Sequence, residues 1–188
     1  KDASGHNLSK TAKQYIAGIL KYAPEFCLIT NQYVNSYKRL ASGVQAPVNI
    51  AWARNNRSAI VRVPGYRPDE KDASRIELRS PDPAANPYLA FAAMLAAGLA
   101  GIEEELELCD ACEADIGEAA KPDRASGRAE QLPKTLFEAI ERFESSELMK
   151  ETLGPYAHSY LVKAKAEEWD AYQRIVTPWE LDRLLAVL

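Results

Sequence analysis

Apolar residues recur at helical spacing from the start of the chain. Ala12, Tyr15, Ile16, Ile19, Leu20 and Ala23 fall on one face, as an amphipathic helix requires. Ser9 or Asn7 can cap its start, and Pro24 predicts a break near its end. A polar stretch, 31–47, follows with Gly43 as its flexible point. The pattern then shortens to three strand-like runs, 48–54, 58–63 and 75–79, with Asn55-Asn56 read as the turn between the first two. Gly65 and Pro68 mark 64–73 as a loop. Asn86-Pro87 is a cap and first-turn pair opening a long Ala- and Leu-rich helix that runs to Leu106.

Residues 103–118 carry eight carboxylates and no Lys or Arg, and with Gly117, Pro122 and Gly127 the stretch to Leu132 reads as an exposed loop. Helical spacing returns at Leu136, Ala139, Ile140 and Phe143. A short helix over 147–153 ends at Gly154-Pro155, a longer one covers 156–175, and Pro178 starts a last helix over 179–188. Strands in the first half and helices in the second predict an α+β fold. No internal repeat is visible.

With 188 residues and 47% hydrophobic content the chain can build one sizeable core or two small ones. A net charge of −4 argues against a nucleic-acid binder. No apolar run is long enough to span a bilayer, and the three cysteines form no disulfide framework. A cytoplasmic location is the expectation. The chain opens at Lys1 in a polar segment that reads as a continuation of something upstream.

Charge becomes informative only locally. Between Asn35 and Pro87 lie seven arginines, at 39, 54, 57, 62, 67, 75 and 79. The guanidinium fork fits carboxylate and phosphate, so this window has anions to hold. In the third run Arg75, Glu77 and Arg79 share one strand face and Ile76 and Leu78 the other. Spacing alone leaves open a structural ion network or a metal–phosphate site.

The wording of the window narrows this. Asn35-Ser-Tyr-Lys-Arg-Leu40, Asn56-Arg57-Ser58 with Arg62-Val63-Pro64, Arg75-Ile-Glu-Leu-Arg79 and the 81–89 segment Pro-Asp-Pro-Ala-Ala-Asn-Pro-Tyr-Leu resemble, in order and, apart from a longer loop before Arg75, in spacing, the sequence blocks of type I glutamine synthetases. The resemblance covers nearly the whole chain and is to the C-terminal part of that family's catalytic domain. It implies a partial antiparallel barrel sheet and long helix (1–106), an acidic loop (107–132) and C-terminal helices (133–188). It also implies an ATP-dependent ligase using Mg²⁺ or Mn²⁺, which phosphorylates the γ-carboxylate of glutamate and lets ammonia displace the phosphate. By matching position, Arg39 and Arg79 would grip the substrate carboxylate. Arg57 would reach ATP and the acyl phosphate, Arg62 the nucleotide phosphates, and Glu77 would ligate a metal. The family's full-length members assemble as dodecamers, the apolar C-terminus packing across to the opposing ring.

Two departures stand out. The family's flap reads Gly-Tyr-Glu-Ala-Pro, whereas this chain has Gly43-Val44-Gln45-Ala46-Pro47, and Gln45 cannot act as a general base. Reduced ammonia turnover, or another amine such as a polyamine as acceptor, is implied. The family's other metal ligands lie upstream of the first helix, so the isolated chain is expected to be inert. A non-catalytic binding module is a third reading. No tyrosine occurs between Tyr88 and Tyr156, so the adenylylation used by one branch of the family looks absent. Cys109-Asp-Ala-Cys112 lacks the further ligands zinc needs, Cys27 reads as core, and His158, Trp169 and Tyr172 read as packing residues.

Overall fold

The computed structural model describes residues 8–41, 46–65, 75–113, 130–185 and 187. In chain order its elements are α1 (Lys10–Thr30), α2 (Val34–Ala41), β1 (Asn49–Ala53), β2 (Ala59–Arg62), β3 (Glu77–Leu78), α3 (Pro87–Glu103), α4 (Leu136–Glu144), α5 (Glu147–Gln173) and α6 (Pro178–Leu184).

α1 is capped by Ser9, whose Oγ accepts from Ala12 N–H at 3.1 Å. Contrary to the expected break, it runs straight through Pro24 for another turn and a half. A proline inside a helix costs about 3 kcal/mol. Here the residues beyond it, Phe26, Cys27, Leu28 and Ile29, are all buried, and their burial offsets that cost. α1 is therefore a central helix, enclosed on several faces by α3, α4 and β1. The short α2, in what reads as a polar stretch, is held by burial of Tyr37 and Leu40.

The crossing of α1 and α3 is a contact of backbones. A methyl carbon at Gly101 would lie 2.6 Å from both the Cα and the N of Gly18, so neither position has room for a side chain. α3 starts on Asn86, whose Oδ1 accepts from Tyr88 N–H at 3.0 Å and Leu89 N–H at 3.3 Å. At the far end Glu104 accepts from Lys21 and Tyr22 of α1. α5 is two helices joined at Gly154, whose φ of 77° and ψ of 154° are not helical, as Gly154-Pro155 predicts.

The sheet corrects the expectation of purely antiparallel pairing. Its order is β1-β2-β3, with β2–β3 antiparallel but β1–β2 parallel, Asn49 facing Ala59 and Ala53 facing Arg62. Asn55-Asn56 is thus not a hairpin turn: residues 54–58 carry the chain back to the start of β2. Beyond β1, Gln131 forms an antiparallel bridge to Asn49. Trp52, Ile60, Val61 and Val63 join the main core with Phe26, Leu136 and Phe143. Ala51, Ala53 and Ala59 form a second, small cluster covered by Cys112. No helix among the described residues is long and apolar enough to cross a membrane.

Candidate active site

The return loop 54–58 and the ends of β2 and β3 meet at one cleft. Asn55, Arg57, Arg62 and Arg79 line its volume of about 410 Å³. Three of the arginines singled out in the sequence are therefore gathered at one place. Arg62 pairs with Glu77 at 3.2 Å, a half-exposed contact worth about 0–1 kcal/mol, and its Nε donates to the Arg54 carbonyl at 3.3 Å. Arg79 donates from Nη1 to the Arg57 carbonyl, and its backbone N–H donates to Ile60 at 2.8 Å. Three guanidiniums against one carboxylate leave the cleft a net excess of positive charge. Guanidinium donors in this arrangement are suited to an anion with several oxygens.

Arg39 is placed elsewhere. Its Nη2 donates to Asn31 Oδ1 at 2.9 Å and to the Ser80 carbonyl at 2.6 Å, and its Nε lies 3.7 Å from Asp82. These bonds tie the end of α1 and α2 to the turn before α3. Gln45 lies outside the described residues. Glu77 sits at the cleft edge on Arg62, and among the described residues no three His, Cys, Asp or Glu side chains converge on a common point. One carboxylate already paired with a guanidinium does not fit a hard divalent cation, which takes about six oxygens; by themselves these residues do not make the metal site.

Sequence reasoning missed the parts that support the cleft. Asn55 lines it, although the sequence reads it as a turn residue. The segment 104–113, expected to be a solvated loop, lies along the sheet: Cys112 N–H donates to the Trp52 carbonyl at 2.9 Å, and Trp52 Nε1 to that of Cys109 at 2.8 Å. Burial raises the Cys109 thiol above its usual value, and Asp110 adds to the effect, which suits no redox role. Cys27 is fully buried, and burial pushes its thiol up to about 12. His158 is buried, stacked on Phe143 and 2.9 Å from the Phe143 carbonyl, a packing role as read.

An arginine-lined cleft at the end of a small mixed sheet, backed by helices, defines an α+β domain with a site whose donors suit carboxylate or phosphate. The chain belongs to the glutamine synthetase catalytic domain family, whose pattern matches residues 1–184. It is 45% identical over 180 residues to glutamine synthetase of Mycolicibacterium smegmatis, and 45% identical over 181 residues to that of Methanosarcina mazei. Each match covers 96% of this chain and 40% of the relative. The solved structure of GmaS without ligand superimposes with a TM-score of 0.83 at 37% identity, over 98% of this chain and 40% of that one. A GmaS/ADP complex superimposes equally well, at 36% identity, over 99% and 42%. The chain thus spans about two fifths of the length of these relatives.

Proposed function

We propose that this chain supplies the anion-gripping part of an ATP-dependent ligase that makes glutamine from glutamate and ammonia. The observation that carries the reading is the convergence of Arg57, Arg62 and Arg79 on one cleft. In the reaction a γ-carboxylate oxygen attacks the γ-phosphorus of ATP, the bond to ADP breaks, and ammonia then displaces phosphate from the acyl carbon. Negative charge spreads over the transferring group, and fixed guanidiniums stabilise it without reorganising. Arg62 faces the nucleotide phosphates, Arg57 spans nucleotide and acyl phosphate, and Arg79 holds the substrate carboxylate. Arg39 is a second carboxylate contact, a role with which its bonds to Asn31 and Ser80 compete. Mg²⁺ or Mn²⁺ would neutralise phosphate charge, with Glu77 as one ligand among others that the described residues do not supply. The three strands would form part of a larger barrel in a cytoplasmic dodecamer.

The likeness to a protein solved with ADP supports the nucleotide role. Calorimetric titration with ADP tests it. Arg57→Ala and Arg62→Ala are each expected to weaken binding about 10-fold or more, the scale of a charge-assisted hydrogen bond; unchanged affinity in both variants would remove the reading. The 188 residues by themselves are expected to release no phosphate from ATP and glutamate, and release above background would contradict that.

Gln45 favours a second reading, in which an amine other than ammonia is the acceptor. Gln45→Glu should raise the ammonium-dependent rate of the full-length ligase if the neutral side chain limits it. No gain would count against the idea.

A further inference from the structure

Parallel strands ordinarily need a crossover of about a dozen residues or more, yet β1 and β2 are linked by only residues 54–58. A return this tight turns its first amides away from the strand ladder. Arg54 N–H donates to Glu113 Oε1 at 2.8 Å and Asn55 N–H to Glu113 Oε2 at 3.1 Å, one carboxylate oxygen for each. One residue earlier, the Cys112 carbonyl accepts from Asn56 Nδ2 at 2.9 Å. Asn56 Oδ1 in turn accepts from the Ser58 N–H at 2.9 Å and from its Oγ at 2.6 Å.

We propose that Glu113 is a positioning residue for the anion cleft, its carboxylate clamping the loop from which all three guanidiniums are set. The loop carries Asn55 and Arg57 into the cleft. Its carbonyls also hold the other two arginines, Arg54 accepting from Arg62 and Arg57 from Arg79. A shift of this backbone therefore bears on all three arginines of the cleft at once, on Arg57 directly and on Arg62 and Arg79 through one hydrogen bond each. Two consecutive N–H groups would themselves attract an anion. With Glu113 seated on them, an incoming phosphate is left to the guanidiniums. The carboxylate adds a charge-assisted bond to each amide, about twice as strong as a neutral one.

The inference rests on reading the cleft as an anion site. Its test uses the protein at its native length, with ADP as probe, in calorimetry and in amide hydrogen exchange. Glu113→Ala should weaken ADP about 10-fold, and Glu113→Gln, which keeps one acceptor oxygen, by less. Because Glu113 acts through the loop, its loss in an Arg57→Ala background should cost clearly less than it does alone. The Arg54 and Asn55 amides should be protected in the wild type and exchange faster in Glu113→Ala. Wild-type affinity in Glu113→Ala, or effects that multiply fully with Arg57→Ala, would overturn the clamp. If the wild type binds no ADP, the proposed function falls instead. The clamp is then decided by exchange, and equal rates at Arg54 and Asn55 in wild type and Glu113→Ala overturn it.

Discussion

Gly101→Ala should loosen the contact around which the helices are built. The added methyl would lie 2.6 Å from Gly18 Cα and N, and closer still to the Gln14 carbonyl oxygen, where ordinary contact begins near 3.4 Å. All of these atoms are backbone within one long helix, so no side chain can swing aside. α1 and α3 must separate by about 1 Å, a gap that forfeits a quarter to a half of each dispersion contact across it. Overpacking of this kind costs about 3 kcal/mol, and the better helix propensity of Ala returns about 1. The net loss is about 2 kcal/mol, or about 4–8 °C in Tm for a chain of this size. Urea denaturation of Gly101→Ala beside wild type measures it. Gly65→Ala is the control, since nothing lies within 4 Å of the added carbon, and should fall within about 0.5 kcal/mol of wild type. Gly18→Ala would meet Gly101 Cα and N at 2.8 Å, so the double variant should lose less than the sum of the two. A Gly101→Ala protein as stable as wild type would refute the argument, and strict additivity would show that the two glycines do not share one contact.

Gly154→Ala should cost about 1–3 kcal/mol by denaturation, because φ 77° with ψ 154° is a region that only glycine occupies easily; a neutral result would mean that the two halves of α5 can join differently. In thiol titration at neutral pH, Cys109 should react slowly and Cys27 only on unfolding, and Cys109→Ser should remove one thiol from the earlier phase, leaving that of the half-buried Cys112. The Cys27 thiol also sets an alkaline limit. Its folded value of about 12 lies above the ordinary 9.0, so between these values the unfolded chain has lost a proton that the native chain keeps. The stability it contributes is complete below pH 9 and declines as pH rises towards 12. Denaturation midpoints against pH should therefore fall less steeply in Cys27→Ala, with a residual slope from the buried Tyr37, whose hydroxyl is also raised by burial.

The helices and the arginine cleft were legible because their signals are local. Asn86-Pro87, Gly154-Pro155 and the apolar spacing of 136–143 each specify an element within a few residues. Arg57, Arg62 and Arg79 sit in short blocks beside the strands that carry them. Pro24 misled because the burial that carries α1 past it comes from partners more than sixty residues away, such as Ala93, Ala97 and Phe143. Strand direction was hidden for a related reason. Short apolar runs mark 48–54 and 58–63 as extended, but whether the chain turns back or loops round depends on what receives the amides between them. That acceptor is Glu113, 59 residues beyond Arg54. In the sequence it is one of eight carboxylates in a run that looks solvated, and composition gives no reason to choose it. The feature that makes the parallel return possible is thus the feature that sets the arginines, so the pairing of β1 with β2 and the geometry of the cleft are one structural fact. A variant of Glu113 that relaxed the loop should disturb both together, and the register of Ala53 with Arg62 is where the two meet.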